Sequence, residues 1–174
     1  HNPTGISYSE KKKNEILKLA NTYDFLIIED DYMSDFSFSN EIRKPLRAYD
    51  KNDKVIYIKS FSKILMPGLR IGFMEMPIFV RKVISRIKYT MDISTSSFTQ
   101  LSLYYYMTYF GWKNHLDIIR EIYETRFGIA KKYLDNNFDK KVTFRNASGG
   151  VNFFGSLPKD YSSIDLRYYL ESIG

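Results

Sequence analysis

Between Ser60 and Arg70 the chain reads Ser-Phe-Ser-Lys-Ile-Leu-Met-Pro-Gly-Leu-Arg, which puts two hydroxyls, a lysine and an arginine on one short segment. The preceding Val55-Ile56-Tyr57-Ile58 predicts a buried strand. A lysine just past such a strand can be desolvated, which lowers its pKa and makes the amine a usable nucleophile. Hydroxyls and a guanidinium beside it can hold a phosphate. A bare Ser-x-Ser-Lys recurs on ordinary surfaces with the lysine solvated. The Pro67-Gly68-Leu69-Arg70 that follows makes this segment more specific. The combination suggests that Lys63 takes an aldehyde cofactor carrying a phosphate, and pyridoxal phosphate is such a cofactor.

Two other segments carry matching chemistry. Phe25-Leu26-Ile27-Ile28 predicts a second short buried strand, and Glu29-Asp30-Asp31-Tyr32 follows it. Acids at the end of a buried strand sit where open α/β sheets bind ligands. A carboxylate facing a pyridine nitrogen keeps that nitrogen protonated, which makes the ring an electron sink. A nearby phenol can hydrogen-bond an oxygen on the ring. On its own, an acidic loop after a strand is ordinary. The opening His1-Asn2-Pro3-Thr4-Gly5 is turn chemistry, and an asparagine held in such a turn can donate its amide to the same ring oxygen.

The elements around these segments predict an α/β alternation. Ser7-x-x-Glu10 has the form of a capping box opening a helix to about Tyr23, with Ile16, Leu17, Ala20 and Tyr23 on its apolar face. Asp50-Lys51-Asn52-Asp53 is a turn before the Val55–Ile58 strand. Arg70 to Met74 predicts a third strand, with Gly72 allowing a neighbour close. Apolar runs without alternation suggest a mostly parallel sheet buried on both faces. Beyond Pro77, Val80, Val83, Ile84 and Ile87 repeat at helical spacing. Further helices are expected from about Phe98 to Phe110 and from about His115 to Asn137. Two short strands, 142–145 and 151–154, flank Gly149-Gly150, and Ser162-x-x-Asp165 opens a last helix. The Tyr104-Tyr105-Tyr106 run reads as helix packing.

Composition bounds the function. The chain has 174 residues, 44% hydrophobic and 17% aromatic, enough for a core and against disorder. The absence of cysteine excludes a disulfide framework and thiolate metal sites. Two isolated histidines make a histidine metal site an unfavourable reading, and His115 is expected to start or cap a helix. The net charge of +6 is mild, and Lys11-Lys12-Lys13 reads as a solvated helix face. No apolar run approaches the roughly 20 residues of a membrane span. The cysteine count and the cofactor together point to a cytoplasmic setting.

Taken in order, the three segments resemble the fold-type I, class I/II aminotransferase family, which depends on pyridoxal phosphate. The resemblance is closest to the branch holding 2-aminoadipate and kynurenine aminotransferases and the MocR-type regulators of the GntR family. Glu-Asp-Asp-Tyr, Ser-Phe-Ser-Lys with Pro-Gly-Leu-Arg, Gln100, Phe110-Gly111 with His115, and Gly149-Gly150-Val151 carry it along nearly the whole chain. It implies that Lys63 forms the covalent link to the cofactor and later moves a proton. It further implies that Asp30 pairs with the ring nitrogen, that Tyr32 and Asn2 hydrogen-bond the ring oxygen, and that Ser60, Ser62 and Arg70 bind the phosphate. Asp31 and Glu29 are given no cofactor contact.

By the same resemblance, residues 1–112 correspond to the C-terminal part of a large cofactor-binding domain with interdomain helices, and 113–174 to an incomplete α+β small domain. The family's segment before the Asn-Pro-Thr-Gly turn and its carboxylate-binding arginine have no counterpart here, so the chain is expected to be a fragment and inactive alone. The implied ligand is an amino acid or a 2-oxo acid, and the implied assembly of the full-length protein is a homodimer. DNA would be bound only through an upstream domain. Two functions follow: the effector domain of a MocR-type transcriptional regulator, which the His115 surroundings favour, or a free-standing aminotransferase.

Overall fold

The computed structural model describes residues 1–38, 44–138, 142–147 and 149–173. In chain order it contains α1 (Glu10–Thr22), β1 (Ile27–Asp31), β2 (Val55–Ser60), β3 (Gly72–Glu75), α2 (Ile78–Asp92), α3 (Ser97–Tyr109), α4 (Trp112–Phe138), β4 (Thr143–Phe144), β5 (Gly155–Ser156) and α5 (Ser163–Ile173). β1, β2 and β3 form one sheet in that order, and β4 pairs with β5 in a second. The α/β class and the helix–strand order follow the sequence expectation, with shifts at the boundaries.

The cap of α1 is Ser9 rather than Ser7: its Oγ accepts from the Lys12 amide at 3.3 Å. Glu10 cannot close a box because its carboxylate accepts the Tyr49 hydroxyl at 2.5 Å. The helix ends through Asp24 at φ 53°, which lets the Phe25 amide reach back to the Ala20 carbonyl at 3.2 Å. Phe25 and Leu26 are therefore spent leaving the helix. β1 starts at Ile27, two residues later than the apolar run predicts, and the acids lie within the strand rather than after it.

β1 and β2 are parallel, with Ile27 level with Val55 and Asp31 level with Lys59. β2 runs two residues past the predicted Ile58 because β3 pairs antiparallel along its other edge, matching Ser60 with Gly72. The described sheet is thus mixed, with one parallel and one antiparallel pairing. One face is covered where Leu17 of α1 packs with Leu46 and Val55. The opposite face is only partly buried, short of what the apolar runs predict: Ile56 is 8% exposed, but Ile28 is 68% exposed and β3 is exposed throughout. A second core joins the segment after β2 to α3 and α4, with Phe61, Ile64 and Ile71 packed against Leu103, Trp112, Leu116 and Ile119.

α2 follows the predicted spacing and starts just after Pro77, but Val83 and Ile87 remain exposed. β5 falls at 155–156 rather than 151–154, and Ser162 caps α5 through the Asp165 amide at 3.3 Å. No described helix is long and apolar enough to cross a membrane.

The pairing of β2 with β3 depends on Gly72, where a Cβ would stand 2.6 Å from the Lys59 carbonyl oxygen. Gly72→Ala is expected to lower stability by about 1–3 kcal/mol, the range for forced overpacking. Gly68→Ala, with nothing within 4 Å of the added carbon, is the control expected to stay near wild type. Urea unfolding midpoints check both, and equal midpoints for the two variants would refute the close approach.

Candidate functional site

The parallel register fixes where the chemistry gathers. With Asp30 level with Ile58, the carboxyl ends of β1 and β2 share one sheet edge. The antiparallel β3 begins at that same edge, because Gly72 faces Ser60. Asp30, Tyr32, Ser60, Ser62, Lys63 and Arg70 all belong to this edge or to the segments leaving it. It is the position where open α/β sheets hold ligands.

The three acids of β1 divide their roles. Glu29 accepts the Leu46 amide at 2.5 Å and the Arg47 amide at 2.8 Å, so it fastens the turn before β2. Asp31 is 9% exposed and accepts from the Ser34 amide (2.9 Å), the Ser34 hydroxyl (2.6 Å) and the Tyr57 hydroxyl (2.6 Å). Lys59, 8% exposed, lies 3.5 Å from Asp31 and pairs with Asp35. Burial opposes ionisation of Asp31, but the hydrogen bonds from Ser34 and Tyr57 and the Lys59 charge outweigh it and hold its carboxyl below the usual range. Burial, reinforced by Asp31, pushes the Tyr57 phenol well above its ordinary value. Asp30 is exposed and, among the described residues, makes no side-chain hydrogen bond or ion pair.

Asp30 opens onto a cleft of about 590 Å³, within the ~300–1,000 Å³ typical of small-molecule sites. Asn2, Tyr32 and the 149–152 segment line the same cleft. The first turn is closed by the Gly5 amide donating to the His1 carbonyl at 2.8 Å and by His1 Nδ1 against the Thr4 hydroxyl at 2.8 Å. Gly5 sits at φ 68°, and a Cβ there would lie 2.9 Å from both the Ala147 Cβ and the Asn152 carbonyl oxygen. The turn is therefore seated on Ala147 and Asn152. The 149–152 stretch is tied in turn to the loop after β1, where the Gly150 amide donates to the Phe36 carbonyl at 2.8 Å. Asn152 Nδ2 donates to Tyr32 Oη at 3.2 Å and to Asn2 Oδ1 at 3.3 Å.

Ser60, Ser62, Lys63 and Arg70 do not line this cleft and lie beyond the end of β2. Ser60 Oγ accepts the Ser62 amide at 3.2 Å, which shapes the turn into Lys63. Lys63 is exposed and, among the described residues, its side chain makes no hydrogen bond or ion pair. Arg70 is held at φ 48° and ψ 45°, a left-handed conformation that costs a non-glycine residue about 1–2 kcal/mol. His115 lies in the first turn of α4, as its sequence context suggests, and also braces the Lys63 turn. Its Nε2 donates to the Ile64 carbonyl at 2.8 Å, and Nδ1 accepts from the Tyr106 hydroxyl at 3.0 Å.

Sequence reasoning missed Asn152, the His115–Ile64 bond and the Asp31–Tyr57–Lys59 cluster. Gly149-Gly150 was the available signal for the first, since paired glycines mark a close backbone approach. The other two join residues far apart in the chain and carry no local pattern.

A cleft at the carboxyl edge of a mixed sheet, lined by a carboxylate that has no side-chain partner among the described residues, lies where α/β proteins hold ligands. Residues 1–105 match the family described as aminotransferase class I and II, and the chain belongs to that family. It is 34% identical over 98% of its length to aromatic-amino-acid aminotransferase 1 of Thermococcus litoralis, covering 40% of that protein. It is 40% identical over 72% of its length to the HTH-type transcriptional regulator YcxD of Bacillus subtilis, covering 28% of the regulator. The Pyrococcus horikoshii kynurenine aminotransferase, solved in complex with PMP, superposes on 99% of the chain with a TM-score of 0.94 at 28% identity, the chain covering 43% of it. The α-aminoadipate aminotransferase LysN of Thermus thermophilus, complexed with N-(5'-phosphopyridoxyl)-L-leucine, superposes on 98% of the chain with a TM-score of 0.90 at 26% identity, the chain covering 44% of it. The chain spans less than half the length of each of these relatives.

Because the folded pKa of Asp31 is depressed, its contribution to stability is present above the unfolded value of about 4 and is lost as pH falls through the folded value. Asp31→Asn is expected to lower stability at neutral pH and to flatten the loss of stability below about pH 4. Asp50 is also depressed: burial opposes it, while the Asn52, Val55 and Lys54 amides and Arg47 outweigh the burial, so some acid sensitivity remains. Unfolding midpoints across pH check this, and parallel curves for variant and wild type would count against it.

Proposed function

We propose that this chain forms part of a pyridoxal-phosphate-binding site and that, in the full-length protein, it belongs to the effector domain of a MocR-type transcriptional regulator. The observation that carries the cofactor reading is the division among the acids. All three acids line the cleft, but Glu29 and Asp31 are engaged in holding the fold, and of the three only Asp30 has no side-chain partner among the described residues, beside Tyr32 and Asn2. The donor set suits the group: a carboxylate for a protonated ring nitrogen, phenol and amide donors for a ring oxygen, a free amine, and two hydroxyls with a guanidinium for a phosphate. Family membership and the phosphopyridoxyl-bearing relatives support the same cofactor.

When bound, pyridoxal phosphate supplies an electron sink for a substrate's alpha carbon. The chain's own residues do the rest. Lys63 would hold the aldehyde carbon through Nζ, the aldehyde oxygen leaving as water, and would carry a proton at that nitrogen. Asp30 would hold a proton on the ring nitrogen, and Tyr32 and Asn2 would donate to the ring oxygen. Ser60, Ser62 and Arg70 would bind the phosphate. His115 keeps the Lys63 turn in place through the Ile64 carbonyl. Residues 1–112 belong to the large domain and 113–174 to part of the small one. We place the protein in the cytoplasm as a homodimer with an amino acid or 2-oxo acid ligand. DNA contact belongs to a domain outside this chain.

The 40% identity to a regulator, together with the His115 surroundings, supports the regulator reading. A free-standing aminotransferase is the second reading, supported by 34% identity along 98% of the chain to an aromatic-amino-acid aminotransferase. The full-length protein incubated with pyridoxal phosphate, reduced with borohydride and digested is expected to carry the label on Lys63 and to lose it in Lys63→Ala. Label on another lysine, or none, would overturn the assignment. Steady release of a 2-oxo acid from an amino acid by the same protein would decide for the enzyme. Arg70→Gly is expected to relieve the backbone strain and leave the unfolding midpoint at or above wild type, while cofactor affinity falls roughly tenfold for one lost charged hydrogen bond of about 1.5 kcal/mol. Unchanged affinity would remove Arg70 from the phosphate site.

A further inference from the structure

We infer that Asn152 is a positioning residue that sets the donor direction of both Asn2 and Tyr32, and so tunes the charge on the ring oxygen they hold; this rests on the cofactor reading above. The Asn152 side-chain nitrogen carries two hydrogens. It stands 3.3 Å from Asn2 Oδ1 and 3.2 Å from Tyr32 Oη, both acceptor atoms. Occupying Oδ1 turns the Asn2 amide nitrogen, with its two hydrogens, away from Asn152. Occupying a lone pair of the Tyr32 oxygen leaves the phenolic proton to be donated elsewhere. A single amide thereby presents two donors toward a third oxygen, which favours that oxygen as an anion.

The backbone under Asn152 is fixed on two sides. Its carbonyl oxygen packs on Gly5, where no side chain fits, and the nearby Gly150 amide is bonded to the Phe36 carbonyl. Asn152 comes from the segment that leads into β5, whereas Asn2 and Tyr32 come from the first turn and the end of β1. The residue therefore connects the small-domain side of the cleft to both ring-oxygen donors.

The test uses the full-length protein loaded with pyridoxal phosphate and follows the pH at which the visible absorbance of the Lys63-bound cofactor changes. Asn152→Leu removes both donors without adding charge. Asn152→Asp adds an acceptor that competes for the Tyr32 proton. The expected result is that both variants keep the band and the transition moves to higher pH. The shift should be smaller in Asn152→Leu and roughly one pH unit in Asn152→Asp, the size of one lost hydrogen bond. A structural role alone gives no such ordered series. An unmoved transition in both variants, or loss of the band in both, overturns the inference while leaving the cofactor reading intact. Absence of the band in the wild type, with no label on Lys63, overturns the cofactor reading and this inference with it.

Discussion

The parallel pairing of β1 with β2 is the constraint on which the rest depends. Its register sets Asp31 level with Lys59, so both strands release their chains at one edge. Every residue with chemistry to offer leaves from that edge or folds back onto it. The two elements that bring other segments there are both determined by backbone proximity rather than by side-chain affinity. β3 approaches where Gly72 lacks a side chain, and the first turn approaches where Gly5 lacks one. The site is therefore assembled by what is absent at two positions as much as by what is present at the others.

Within that frame, charge is placed by competition for partners. Three adjacent carboxylates on one strand repel one another, and burying them is costly unless each is satisfied. Glu29 meets two backbone amides, and Asp31 meets two hydroxyls, an amide and a lysine. Asp30 points to the other face, where solvent or a ligand must satisfy it. Strand alternation thus separates structural from chemical acids inside one tripeptide, without any change in residue type.

Local chemistry was legible in the sequence to the extent that it depended on near neighbours. Pro77 before a helical repeat and Gly72 as a close-approach site needed only short-range reasoning, whereas Lys63, expected to be desolvated beyond Val55–Ile58, is exposed. Boundaries were misread where a partner elsewhere decided them. Ser9 took the cap because Glu10 was claimed by Tyr49, and β1 began late because leaving α1 used Phe25 and Leu26. The apolar runs predicted burial on both faces, yet Ile28 and β3 are exposed, since a run of hydrophobic residues specifies affinity for a cover and not the cover itself. Asn152 and the His115–Ile64 bond were illegible for a different reason. Each is a single polar contact across a long sequence separation, and no spacing rule encodes it.

Helix α4 touches both loops that leave the shared edge. His115 near its start is bonded to the Ile64 carbonyl beside Lys63, and two turns on, Tyr123 packs against Phe36 in the loop after β1 with ring centroids 4.4 Å apart. At the helical rise those two anchor points are about 12 Å apart along the axis. An α-helix resists stretching, so the span between them acts as a gauge block. It sets the gap between the lysine-bearing turn and the loop that follows the aspartate-bearing strand, and a ligand that reached both would meet a distance already machined to size.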